Sequence, residues 1–74
     1  MANEHSIEDA INALIDDLLR LGCDIVAIGR GYCIHEPEGM EAIVKRVLDG
    51  FGPRDHLMPL FNAILRERGL FIDI

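Results

Sequence analysis

The strongest constraint on the fold is a short glycine-rich segment, Gly29-Arg30-Gly31, that separates two stretches suited to β-structure. The stretches at residues 24–28 and 32–35 are rich in β-branched and aromatic side chains. Two such stretches joined by a short loop containing glycine predict a β-hairpin. The chain should therefore contain at least one antiparallel strand pair.

The register of this hairpin determines which side chains face the core. With all three residues in the loop, one face carries four larger residues and is expected to be the core: Val26, Ile28, Tyr32 and Ile34. The opposite face then carries smaller, half-polar residues and suits cover by another element or a second subunit: Cys23, Ile25, Ala27, Cys33 and His35. A two-residue turn would shift every pairing and change this division.

Three amphipathic helices are predicted around the hairpin. The first should begin with Ser6 as its cap and end at Gly22, the second should start near Pro37, and the third should end at Gly69. Their apolar residues recur at spacings of three and four, which places them on one face of each helix. These stripes are Ile7, Ile11, Leu14, Leu18 and Leu21; Met40, Ile43, Val44, Val47, Leu48 and Phe51; and Leu57, Leu60, Phe61, Ile64 and Leu65.

The last residues, 70–74, alternate weakly and are expected to add a short strand beside the hairpin. The order is then α-β-β-α-α-β, without linker or internal repeat. This pattern predicts a single small α+β domain over residues 1–74, with a short antiparallel sheet packed on amphipathic helices. Residues 1–5, of which residues 3–5 are polar, are expected to fray.

The length of the chain leaves room for only a small core. A domain of 74 residues buries about 60% of the surface that its unfolded chain exposes. A core of this size rarely supplies more than about 3–5 kcal/mol without a disulfide, a metal or a partner subunit. A homodimer is therefore a possibility that the length itself raises.

The net charge of −6 disfavours direct binding to nucleic acid or to an anionic membrane, because both attract Lys and Arg. Residues 1–41 carry nine acids and two bases, a net −7, whereas residues 42–74 carry four acids and five bases, a net +1. Such an asymmetry can steer encounters with a charged partner. The alternative interpretation is that the acids serve solubility alone.

Localisation is predicted from three features of the sequence. The chain has two cysteines, no basic-then-apolar start, and no apolar run near the roughly 20 residues that span a bilayer. These features predict a cytoplasmic protein with reduced thiols.

Cys23, Cys33 and His35 form the one grouping that resembles a set of metal ligands, since thiolate and imidazole suit zinc. In the three-residue-loop register, the two cysteines lie four positions apart along the ladder, on the order of 13 Å. One zinc ion with ligands at about 2.3 Å cannot bridge that distance, and a disulfide needs Cα atoms within about 7 Å. We therefore predict no metal and no cofactor, and interpret both thiols as small hydrophobic residues.

Catalytic motifs are absent from the sequence. There is no nucleophile elbow, zinc-protease pair or phosphate loop, and Gly29-Arg30-Gly31 lacks the strand-to-helix context of a dinucleotide site. His35 and His56 are candidate bases for a small enzyme with a site between subunits, but nothing predicts that they converge on a substrate. The sequence favours a non-enzymatic protein.

The polar face of the first helix is the candidate partner-binding surface, with no cation in the helix before Arg20. Carboxylates at i,i+4 spacing oppose each other by about 0.2–0.5 kcal/mol per pair, so such a row indicates contact with a basic partner. An ordinary solvated face is the alternative. The residues of this surface, which we call the acidic face, are Glu8, Asp9, Asn12, Asp16 and Asp17.

Arg30 and Tyr32 at the tip of the hairpin complete the predicted binding surface, because Arg and Tyr are favoured anchors at interfaces. The alternative is that Arg30 is a polar turn residue between two glycines.

The leading hypothesis is a small acidic, non-enzymatic binding module for a protein with a basic surface. In its concrete form it is an inhibitor that occludes the nucleic-acid-binding groove of its partner, as a mobile-element protein acting against host defence would do. The alternative is a homodimeric regulatory or metal-sensing domain built on the face that carries Cys23, Cys33 and His35.

Overall fold

The computed structural model describes the backbone of residues 4–72 and the side chains of residues 7–72. Its elements are α1 (Glu4–Arg20), β1 (Asp24–Ile28), β2 (Gly31–His35), α2 (Glu41–Phe51), a 3₁₀ turn (Asp55–Leu57), α3 (Met58–Glu67) and β3 (Phe71–Ile72). This confirms the α+β class and the order α-β-β-α-α-β.

The start of α1 differs from the prediction. The helix already includes Glu4 and His5, so Ser6 lies inside it and is not the capping residue. Of the five residues expected to fray, residues 1–3 lie outside the described part of the chain.

The sheet has the strand order β2-β1-β3, with β1 at its centre. β1 and β2 are antiparallel, whereas β3 runs parallel to β1 and pairs Phe71 with Ala27 and Ile72 with Ile28. The sheet is therefore mixed and not wholly antiparallel. The reason is the connection: α2 and α3 carry the chain back along the sheet, so β3 runs in the same direction as β1.

The hairpin closes with a two-residue turn, so of the two registers that the sequence left open, the one with the three-residue loop is excluded. Ile28 pairs with Gly31 and Ala27 with Tyr32, which leaves Gly29 and Arg30 in the turn. Gly29 has φ +58°, the positive φ that the first central residue of a type II′ turn requires. The backbone twist of this turn type matches the right-handed twist of the flanking strands, which favours a two-residue turn. Gly31 is therefore the first residue of β2.

The change of register exchanges the two faces of β1. Ile25 and Ala27 face the helices and are buried, with Cys23 just before them, and their partners Ile34 and Tyr32 pack against the same core. The residues predicted for the core, Val26 and Ile28, are on the opposite face, and the division of the hairpin given above is therefore wrong for β1.

The core lies between the sheet and the two helices that cover it, α1 and α3, while α2 packs beside α1. The predicted stripes supply most of it, although Ile7 and Ile43 remain exposed. The buried residues are Ile11, Leu14, Ile15, Leu18, Cys23, Ile25, Ala27, Val44, Phe61, Ile64 and Leu65. The molecule therefore has two layers, with helices on one side of the sheet.

Phe61 of α3 is the largest of the fully buried side chains in the described chain. The ring of Tyr32 stacks on it with centroids 4.9 Å apart, and Phe51 meets it edge-on at 5.8 Å. Both arrangements are favourable for aromatic pairs. Phe61 thus joins β2, α2 and α3 around one side chain.

Two polar side chains of α3 hold the hairpin turn. Asn62 Nδ2 donates to the carbonyls of Gly29 and Gly31 at 3.1 and 2.6 Å, and Arg66 Nη2 donates to that of Gly29 at 2.9 Å. Arg66 Nε also donates to Asn62 Oδ1 at 2.9 Å, and its guanidinium lies 5.5 Å from the centre of the Phe71 ring. Hydrogen bonds therefore hold the turn against α3, and the Phe71 ring of β3 contacts the same arginine.

Candidate functional site

The face of the sheet that the helices leave uncovered is apolar. We call it the outer face and define it by Val26 and Ile28 of β1, Cys33 and His35 of β2, and Ile72 of β3, whose side chains share one side of the sheet. Val26 and Ile28 are half-buried, while Cys33, His35 and Ile72 are exposed, Ile72 at 45%. Antiparallel strands with one face in water usually alternate apolar with polar residues. β1 does not, so its outer side has the composition of a covered surface.

A shallow depression of about 330 Å³ occupies this outer face. Leu19 from the end of α1 and Leu70 from the segment before β3 extend it beyond the strands. Its charged or ionisable groups are Asp24 and His35, which are cross-strand neighbours, and the thiol of Cys33. The surface can therefore make mainly apolar contacts and very few charged ones.

The sequence contained one signal for this site that the predicted register concealed. Four consecutive residues after Asp24 are apolar, Ile25 to Ile28, and a strand that is apolar on both sides is typical of a sheet covered on both faces. Leu19 and Ile72 carry no comparable signal, because their position at the depression depends on how the elements pack.

The predicted grouping of Cys23, Cys33 and His35 does not exist. Cys23 is buried on the inner side at 3% exposure, whereas Cys33 and His35 are exposed on the outer face. Both cysteines are free thiols. Within residues 7–72, no group of three or more His, Cys, Asp or Glu side chains is placed to hold a metal ion. The metal-sensing version of the alternative hypothesis is wrong in its choice of ligands, because the sheet separates them.

Burial raises the pKa of the Cys23 thiol, with smaller contributions in the same direction from the charges of Glu36 and Asp24. A raised pKa keeps this thiol protonated, and a protonated thiol is neither a good nucleophile nor a metal ligand. Cys23 is therefore a small hydrophobic core residue, although the sequence analysis placed it on the opposite face, and Cys33, which was interpreted in the same way, is exposed.

The raised pKa of Cys23 predicts a loss of stability in alkali. A group whose pKa is higher in the folded state contributes stability that is complete below its unfolded pKa and is lost as the pH rises. The free energy of unfolding, measured by urea denaturation, should therefore fall faster above pH 9.0 in the wild-type protein than in Cys23→Ala. Cys33→Ser is the matched control and should follow the wild type. Parallel curves for the wild type and Cys23→Ala would contradict this prediction.

The acidic face of α1 is partly neutralised from within the molecule. Arg68 donates to Asp16 Oδ1 at 2.6 Å and to Asn12 Oδ1 at 3.1 Å, and Arg20 pairs with Asp17 at 3.0 Å. The helix itself has no cation before Arg20, but Arg68 reaches this row from the end of α3, 52 residues beyond Asp16 in the chain.

Glu8 and Asp9 are the remaining acidic residues of this face. Both are exposed, and neither belongs to an ion pair among the side chains of residues 7–72. The part of the acidic face that is open to a partner is thus the half near the start of α1.

Arg30 and Tyr32 do not form a joint anchor. Arg30 is exposed in the turn, as predicted, but Tyr32 points inward and stacks on Phe61. The two-residue turn is the cause, because it places Tyr32 opposite Ala27 on the inner face. The predicted site residues therefore fall in three places: along α1, at the turn and in the core.

The two histidines proposed as bases occupy different elements, His35 at the end of β2 and His56 in the 3₁₀ turn before α3. His35 lines the depression on the outer face, and His56 is not among its lining residues. The structure therefore places them in separate surroundings.

Comparison with known proteins relates residues 9–73 to the family described as Y4lK. The chain belongs to the Y4lK family. The match extends from α1 through β3, so every residue of the outer face lies within the Y4lK region. No curated protein and no solved structure matches the chain. Membership in Y4lK names no activity, so the function is inferred from the surfaces of the fold.

Proposed function

We propose that this chain is a small, non-enzymatic protein-binding module that docks through the outer face of its sheet. One observation carries the proposal: helices cover the inner side of a three-stranded sheet, and the opposite side is also apolar. Contiguous apolar surface rimmed by polar residues is typical of interaction sites. Here the rim is supplied by Asp24 and His35.

The shape of this surface favours a protein over a small ligand. Pockets for small molecules are concave and cover most of their ligand, whereas several residues that line this depression are exposed: Leu19, Cys33, His35 and Ile72. The net charge of −6 also opposes nucleic acid as a ligand. A partner with an apolar surface fits the observations best.

A non-enzymatic role is part of the proposal. In the described part of the chain, the candidate bases lie in separate elements and no buried side chain is polar or charged. We also place the protein in the cytoplasm, where free thiols such as Cys23 and Cys33 remain reduced. No helix among the described residues has the length and apolar character needed to cross a bilayer.

The predicted inhibitor of a basic groove is the second candidate. Glu8 and Asp9 support it, because they are exposed side by side without an internal cation among the described residues. This candidate has fewer free carboxylates than the sequence suggested, since Asp16 and Asp17 are paired. It uses α1, on the opposite side of the sheet from the outer face, so the two candidates can be separated by experiment.

The test uses Cys33 as an attachment point for a photo-crosslinker in cells of the native host. Cys33 is exposed at the edge of the outer face, whereas Cys23 is buried and should not be labelled. We expect Cys33 to crosslink to a specific protein, identified by mass spectrometry, whose capture is lost in Val26→Thr/Ile28→Thr. Threonine keeps the β-branched shape that strands favour and removes apolar surface. Circular dichroism should show that this variant remains folded.

The matched control moves the label to the acidic face. Ala13 is exposed and lies one helical turn from both Asp9 and Asp17, so Ala13→Cys in a Cys33→Ser background reports on that surface. Crosslinking from position 13 alone would favour the basic-groove inhibitor and overturn the outer face as the docking site. Crosslinking from Cys33 that survives Val26→Thr/Ile28→Thr would also overturn it.

A further inference from the structure

We infer that the occupant of the outer face is a second copy of this chain, so that two sheets pack face to face across a two-fold axis. The inference rests on the proposed function, because it names the partner of the same surface. Sheets that pack face to face lie about 10 Å apart and bury apolar side chains between them. Val26 and Ile28, on the central strand, would form the middle of such an interface.

The distribution of charge supports a second copy. Each chain carries a net −6, so two copies repel unless their acidic surfaces stay apart. The acidic face belongs to α1, which packs on the inner side of the sheet. With outer faces together, the layers stack as helix, sheet, sheet and helix at roughly 10 Å each, which puts the two α1 helices about 30 Å apart. That separation is more than three times the Debye length of about 8 Å at physiological salt, so the repulsion between the two acidic faces is largely screened.

The outer face itself suits self-association. Among the described residues that line its depression, Asp24 and His35 are the ones with acidic or basic side chains, and they lie opposite each other on neighbouring strands. In a two-fold interface the same patch contacts itself, and an apolar, nearly uncharged patch meets this condition. A strongly basic partner would find its counter-charges on α1 and not on this face.

The area of the face sets the strength of the dimer. Three strands about 4.8 Å apart and five residues of about 3.3 Å each give a face of roughly 14 by 17 Å. Even with Leu19 and Leu70 at its border, this is less than the ~800 Å² per partner of a standard interface. We therefore expect a weak, reversible dimer whose Kd is on the order of 100 μM.

The test combines sedimentation of the full chain, with reductant present, with the reactivity of Cys33, measured directly after the reductant has been removed. Between ~1 and ~300 μM protein, the species should change from monomer to dimer, and N-ethylmaleimide should label Cys33 at least about threefold more slowly in the concentrated sample. Val26→Thr/Ile28→Thr should remain monomeric with an unchanged labelling rate. Raising the salt concentration should leave the dimer equally stable or more stable, because apolar burial carries it and like charges oppose it.

Each outcome separates the second copy from the proposed function. A chain that stays monomeric throughout, or a dimer in which Cys33 keeps its full reactivity, overturns the second copy. A dimer that weakens steeply with salt also overturns it, because charged groups would then carry the contact. In these cases, specific crosslinking from Cys33 to a different protein would keep the outer face as a docking site, and failure of that crosslinking would end both proposals.

Discussion

Ala27→Asp is expected to unfold the protein, whereas Val26→Asp should leave it folded. Ala27 is 0% exposed and faces the helices from the central strand, so an aspartate there would be an unpaired buried charge that costs several kcal/mol. The whole domain has roughly 3–5 kcal/mol to lose. Val26 lies on the outer face, where a carboxylate remains in contact with water and costs about 1 kcal/mol through lost β-propensity.

Circular dichroism with urea denaturation measures both effects. The two variants are matched, because they place the same side chain on adjacent residues of one strand. The three-residue-loop register would give the opposite order, with Val26→Asp unfolded and Ala27→Asp folded. That result would overturn the observed pairing and, with it, the outer face as we define it.

Phe61→Ala should reduce the free energy of unfolding by about 3–5 kcal/mol, the usual cost of truncating a buried Phe. Phe61 is 0% exposed, and the variant would lose both the stacking with Tyr32 and the edge contact with Phe51. The hairpin and α2 would then lose their shared contact with α3. We expect the variant to be largely unfolded at 25 °C, with loss of the cooperative transition in thermal denaturation.

Phe71→Ala is the control for this effect. Phe71 is 43% exposed and contacts the guanidinium of Arg66, so its truncation should cost about 1 kcal/mol or less. A similar loss in both variants would mean that Phe61 is not the centre of the core. Phe61→Leu, which keeps most of the apolar volume, should retain a cooperative transition.

The residues of the outer face show where prediction from sequence stopped. The hairpin itself could be predicted from composition, because two β-branched stretches separated by a short glycine-containing segment favour a turn between paired strands. Its register could not be decided, since Ile25, Val26, Ala27 and Ile28 are apolar on both sides of β1 and either side could be buried. One residue of turn length then exchanged the two faces.

The acidic face gives a second example. The i,i+4 row along α1 was visible in the sequence because it depends only on helical periodicity. Its partial neutralisation was not, since Arg68 lies 52 residues beyond Asp16 and meets it only when α3 packs beside α1. The attachment of the hairpin turn by Asn62 was invisible for the same reason.

Local sequence patterns were therefore sufficient to predict the element order, the helical stripes and the position of the turn. Each of these depends on residues that are close together in the sequence. The tertiary structure decided which side of β1 is buried and that β3 pairs with β1 in parallel. It also decided that Tyr32 faces the core and that Asp16 pairs with Arg68. Each of these depends on contact between residues far apart in sequence. Such contacts form, and contribute to stability, only when the helices pack against one face of the sheet.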